Sequence, residues 1–156
     1  MNIEEIVNRL LSEEKTISSM ESCTGGGFSN LITNVSGASS VFRFGAVTYS
    51  NEFKVKMGVS EEVIDKFSVY SAEVARCMAK AISDFTSSDF GLGITGKLGK
   101  SDPNNLAGDD NKVFFSIYDK HSDSYFDYSI LVSGDDRVKS KKEVLDLVIS
   151  KLGVHV

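Results

Sequence analysis

Ser22, Cys23, Tyr49 and Lys54 are the side chains of this sequence whose types and placing suit covalent chemistry. The first two lie in the stretch Glu21-Ser22-Cys23-Thr24-Gly25-Gly26-Gly27. A short strand-like run, Thr16 to Met20, precedes it, and Phe28, Leu31, Ile32 and Val35 follow at helical spacing. The stretch therefore reads as the N-terminal mouth of a helix. Unpaired backbone N–H groups there attract phosphate or a developing oxyanion, and glycines let a ligand approach the main chain. The same residues also suit an ordinary glycine-rich turn. A nucleophile needs a base, and His121 and His155 stand in a hairpin turn and beside the C-terminus. Lysine is then the available base, if a buried or cationic setting lowers its pKa. Tyr49-Ser50-Asn51-Glu52-Phe53-Lys54 groups a phenol, an amide and an amine at the exit of a strand. Cys23 is a rival nucleophile, because a helix N-terminus favours the thiolate, but it has no histidine partner.

Two nucleotide-binding patterns occur and lack their context. Gly91-Leu92-Gly93-Ile94-Thr95-Gly96 matches G-x-G-x-x-G, yet its first glycines fall inside an apolar strand and no helix follows. Gly99-Lys100-Ser101 resembles the end of a P-loop, but the position five before Gly99 is Ile94. Thr95 and Gly96 nevertheless end a strand, the place where open α/β sheets bind ligands.

The elements that must position these groups alternate along the chain. A helix is expected at 2–13, a strand at 16–20, a helix at about 24–35 and a strand at 41–49. Ser60-Glu61-Glu62 and Ser71-Ala72-Glu73 read as capped helix starts. The second of these helices carries Val74, Met78, Ala81, Ile82 and Phe85 on one face. A buried strand follows at 90–95, then a loop at 96–112, a hairpin of strands at 113–119 and 125–132, and a helix at about 136–152. This order predicts one α/β domain, a three-layer α/β/α sandwich with a mixed β-sheet.

With 156 residues and 41% hydrophobic content the chain has enough core for one domain. Seventeen basic against 22 acidic residues give a net charge of −5. No basic domain is present, which argues against nucleic acid, and the cluster Lys139 to Lys142 reads as a solvated face. Two cysteines make no disulfide framework, so a reducing, cytoplasmic setting is expected. No signal peptide, membrane span or metal-ligand cluster is expected either.

Taken together, Glu21-Ser22-Cys23-Thr24-Gly25-Gly26, Gly37-Ala38-Ser39, Tyr49-Ser50-Asn51 with Lys54, and Thr95-Gly96 resemble the ordered motifs of the CinA C-terminal domain family. Its members include nicotinamide mononucleotide deamidases. The resemblance implies a stand-alone form without the family's molybdopterin-binding-like domain. It also implies hydrolysis of the substrate carboxamide to nicotinate mononucleotide and ammonia, without metal or cofactor. Ser22 would be the nucleophile, Lys54 the general base and Tyr49 an aid to proton transfer or a support for the amine. Ser39 is the alternative nucleophile. Substrate contacts are expected from Glu21, Thr24, Gly25, Gly26, Ser39, Asn51, Thr95, Gly96 and Arg137. The partner expected is a small nucleotide, and a homo-oligomer is a family-level expectation. Two departures stand out: residues 97–110 replace an alanine-, glycine- and proline-rich loop with a charged one, and Arg137 is displaced by one residue. The other reading is a related domain that binds a nucleotide or a protein partner without turnover.

Overall fold

The computed structural model describes residues 1–99, 103 and 106–156. Lys100 and Ser101 of the P-loop-like triplet lie outside the described residues. The elements are α1 (Ile3–Ser12), β1 (Ile17–Glu21), α2 (Gly27–Thr33), a 3-10 turn (Ala38–Ser40), β2 (Phe42–Val47), α3 (Asn51–Lys56), α4 (Glu61–Phe67), α5 (Ala72–Thr86), β3 (Phe90–Gly96), β4 (Lys112–Asp119), β5 (Ser124–Leu131) and α6 (Arg137–His155). The strand order is β2-β1-β3-β4-β5. The first three strands run parallel, while β4 and β5 form the antiparallel hairpin.

Alternation along the strands sorts the residues to two faces. Ile17, Phe90, Leu92 and Ile94 join Phe115 and Ile117 in a core closed by α1, α2 and α6. Met20 faces the other way, into a second core with Val74, Met78 and Ile82 of α5 and Ile64 of α4. The result is the mixed α/β/α sandwich that the pattern predicts. The glycines of the G-x-G pattern serve this packing: a Cβ on Gly91 would lie 1.9 Å from the Ala79 carbonyl oxygen, and one on Gly93 2.3 Å from that of Ala75. They let α5 press against β3, which is why the pattern stands inside a strand and opens no nucleotide loop.

Ser60 and Ser71 cap α4 and α5 by accepting from the amides of Val63 and Val74. Elsewhere the structure departs from the sequence-based expectation. Phe85 is 63% exposed and turns out of the core to meet Phe44, their ring centroids 5.4 Å apart. Helix α2 starts at Gly27 instead of Thr24, because Gly25 and Gly26 adopt φ of 62° and 94°, a left-handed bend that a helix cannot contain. Helix α3 was not anticipated. Six residues are too few to show helical periodicity, but Ser50 accepts from the Phe53 amide and Glu52 lies in the first turn, the same signal as at Ser60 and Ser71.

Candidate active site

The main chain fixes Ser22 at the carboxyl edge of the parallel strands. Its N–H donates to the Ile94 carbonyl at 3.0 Å, and the Thr48 N–H donates to the Glu21 carbonyl at 2.9 Å. Each bond extends a strand ladder beyond its last paired residue. Helix α3 then turns back and delivers Lys54, whose side chain is 2% exposed, to the same point. The Lys54 Nζ donates to Ser22 Oγ at 3.0 Å and to the Thr48 carbonyl at 2.8 Å. Burial of an ammonium is tolerated only with such partners.

Both groups line a cavity of about 710 Å3, together with Cys23, Tyr49, Ser50, Asn51, Val69, Tyr70, Thr95, Gly96, Lys97, Leu98, Pro103 and Arg137. Arg137, at the start of α6, donates through Nη1 to the Leu98 carbonyl at 2.8 Å and through Nη2 to the Tyr49 hydroxyl at 3.3 Å. Arg137 thus stands on the cavity wall. Tyr49 is exposed at the mouth. The Thr95 hydroxyl is committed to the wall itself, donating to the Val69 carbonyl at 2.6 Å. Lys97 is buried with its Nζ 3.5 Å from an Asp110 carboxylate oxygen. Lys141 brings its Nζ within 3.2 Å of where a Cβ on Gly25 would stand. Lys97, Arg137 and Lys141, three cations around one site besides Lys54, in a chain of net charge −5, make a local field that attracts an anion.

Glu21 behaves differently from a ligand contact. It is fully buried and lies behind the cavity, where one carboxylate oxygen accepts from Thr24 Oγ1 at 2.7 Å and the Phe28 amide at 2.9 Å. The other accepts from the Ser29 amide at 3.0 Å and Ser29 Oγ at 2.9 Å. This carboxylate takes the place that a bound phosphate would occupy at the start of a helix. The Gly25 and Gly27 amides bond to the Ser22 and Thr24 carbonyls within the turn. The turn at Thr24, Gly25 and Gly26 is therefore a mount for Ser22 whose helix mouth is already filled from inside.

Ser39 is not brought to the cavity. It precedes β2, whose Phe42 pairs with Ile17 at the amino end of β1, whereas Ser22 follows the carboxyl end. At about 3.3 Å per residue, the length of β1 separates them by roughly 15 Å. Cys23 does line the cavity, but burial pushes its thiol up to about 12, outweighing its own backbone amide and the Lys54 charge, which favour the thiolate. A thiol so placed stays protonated near neutral pH. Val69, Tyr70, Lys97, Leu98 and Pro103 are wall residues that the sequence motifs do not include. Lys97 directly follows Thr95-Gly96, which was the available signal.

Among the described residues no helix is long and apolar enough to cross a membrane, and no group of three or more His, Cys, Asp or Glu is placed to hold a metal ion.

Fold and site define a class: an α/β domain with a lysine-contacted serine at the carboxyl edge of its parallel strands. Within that class the chain belongs to the CinA C-terminal domain family, whose model matches residues 2–152. It is 43% identical over 119 residues to a CinA-like protein of Flavobacterium psychrophilum, a match covering 74% of this chain and 28% of that protein. To a CinA-like protein of Kosmotoga olearia it is 48% identical over 100 residues, covering 63% and 24%. The matched segment spans about a quarter of the length of these curated relatives. A CinA superfamily protein of Escherichia coli superposes with a TM-score of 0.88 at 21% identity, covering 99% of this chain and 90% of that one. A competence/damage inducible protein of Agrobacterium tumefaciens gives 0.84 at 23% identity, covering 97% and 94%. At those identities the likeness is one of fold.

Proposed function

We propose that this domain hydrolyses the carboxamide of nicotinamide mononucleotide to nicotinate mononucleotide and ammonia. The observation that carries the reading is the buried contact of 3.0 Å between Lys54 Nζ and Ser22 Oγ in a cation-lined cavity. With the amine neutral, the hydrogen bond runs from the serine hydroxyl to Nζ, and the lysine takes the proton as Ser22 Oγ attacks the amide carbon. The oxygen of the tetrahedral intermediate would meet the main-chain N–H groups of Cys23 and Thr24, next after Ser22, since the Gly25 and Gly27 amides bond within the turn and those of Phe28 and Ser29 bond to Glu21. One aimed donor contributes roughly 3 kcal/mol to such a step. The Lys54 ammonium then passes its proton to the departing amide nitrogen, which leaves as ammonia. Water adds to the acyl-serine with Lys54 again as base, releasing the carboxylate and restoring Ser22. Tyr49 and Arg137 hold the mouth of the cavity, where the nucleotide's phosphate would lie.

Ammonia release from nicotinamide mononucleotide tests this, with Ser22→Ala and Lys54→Ala as controls. Turnover that both substitutions abolish is the expected result. No turnover by the unsubstituted chain at high enzyme concentration, with the nucleotide still bound, would leave binding without catalysis as the correct reading.

A further inference from the structure

We propose that Lys97 is a phosphate-recognising residue of this cavity, with Asp110 as its intramolecular competitor, so that the site selects ligands ending in a phosphate monoester. The proposal rests on the reading of the cavity as a nucleotide site and adds what determines its selectivity. Lys97 follows Thr95-Gly96 at the end of β3 and opens the charged stretch of the sequence that runs to Asp110. Its main chain is held to the sheet, the N–H donating to the Lys112 carbonyl at 3.0 Å. Its side chain is 8% exposed and lies on the cavity wall, with Nζ 5.8 Å from the centre of the Tyr70 ring.

Asp110 is a loose partner. Its side chain is 46% exposed and its carboxylate lies 3.5 Å from Nζ, beyond the 2.7–2.9 Å usual for a charge-assisted bond. It can turn into water while the lysine stays in place. The second cation is close by in the chain fold: Arg137 is tied by a bond of 2.8 Å to the carbonyl of Leu98, the residue after Lys97. A phosphate monoester carries between one and two negative charges near neutral pH and three acceptor oxygens, which suits a lysine and an arginine together. The helix mouth of α2 is taken by Glu21, so it does not compete for that phosphate.

Calorimetric titration of the whole chain with ribose 5-phosphate, and with ribose as control, tests the proposal without involving an amide. Lys97→Met should weaken ribose 5-phosphate about ten-fold or more and flatten its salt dependence, leaving ribose unaffected. Lys97→Arg should restore most of the binding, and Asp110→Asn should tighten it. Unchanged phosphate binding in Lys97→Met overturns the proposal, as does weakened binding in Asp110→Asn, which decides alone if Lys97→Met fails to fold. Phosphate binding that depends on Lys97 without any amide hydrolysis would sink only the deamidase reading. Hydrolysis of nicotinamide mononucleotide with the same KM in Lys97→Met would sink only this one.

Discussion

Lys54 Nζ and Ser22 Oγ lie 3.0 Å apart although 32 residues separate them in sequence. The distance is set by two independent supports: the strand ladder that holds Ser22, and the short helix that returns Lys54 to it. Lys54→Met removes the amine but keeps much of the apolar stem. It should lower kcat for ammonia release roughly 100- to 10,000-fold, the range for loss of a positioned base, while nucleotide binding persists. Equal losses in kcat and in binding would place Lys54 in ligand recognition instead.

The serine and cysteine that stand side by side differ in environment. Burial holds the Cys23 thiol up to about 12, so the neutral form prevails throughout the ordinary working range and the thiolate fraction grows only as pH rises toward that value. Cys23→Ala should retain most of the activity. Alkylation of Cys23 by iodoacetamide should be slow at pH 8 and accelerate steeply with pH, as mass spectrometry of the labelled peptide would report. Rapid labelling at neutral pH with loss of activity would reverse the choice of nucleophile.

Glu21 is a positioning residue. Its carboxylate accepts from Thr24, Phe28 and Ser29, and those bonds shape the turn that presents Ser22. Glu21→Ala leaves buried donors without partners and should destabilise the fold by about 3 kcal/mol, read as a lower urea midpoint. Glu21→Gln, which can accept but carries no charge, should lose less.

Asp89 ties the start of β1 to the hairpin turn, accepting from the Thr16 amide at 2.7 Å and the Thr16 hydroxyl at 2.9 Å and meeting His121 at 2.9 Å. Burial alone would raise its carboxyl, but the bonds from Thr16 and His121 outweigh it and hold the group below its usual range. A carboxylate with a depressed folded-state value contributes stability above its unfolded value, and that contribution is lost as pH falls through the folded one. Asp89→Asn should therefore cost on the order of 1–3 kcal/mol at pH 7 and flatten the loss of stability between pH 5 and the acid limit, measured by urea unfolding at several pH values.

Much of the architecture was legible because its causes are local. Alternation placed the hairpin of β4 and β5, and serine followed by an acid marked the starts of α4 and α5. Ser22 was legible as a candidate for the same reason, standing between a short strand-like run and a cluster of glycines, two of which adopt positive φ. Chain order by itself also singled out the Tyr49 to Lys54 segment, though not the helix within it.

Tertiary structure decided what these groups do, because hydrogen bonds and burial depend on partners that are distant in sequence. It turned Glu21 inward onto the N-terminus of α2 and left Ser39 at the far end of β1. It also carried Arg137, 88 residues after Tyr49 in the chain, to the Tyr49 hydroxyl. Lys97 gained its place in the wall only when β4 closed against β3, a pairing that no local pattern could report. The sequence named a candidate nucleophile and a candidate base as separate motifs; packing brought the two side chains within hydrogen-bond reach and placed Lys97, Arg137 and Lys141 near them.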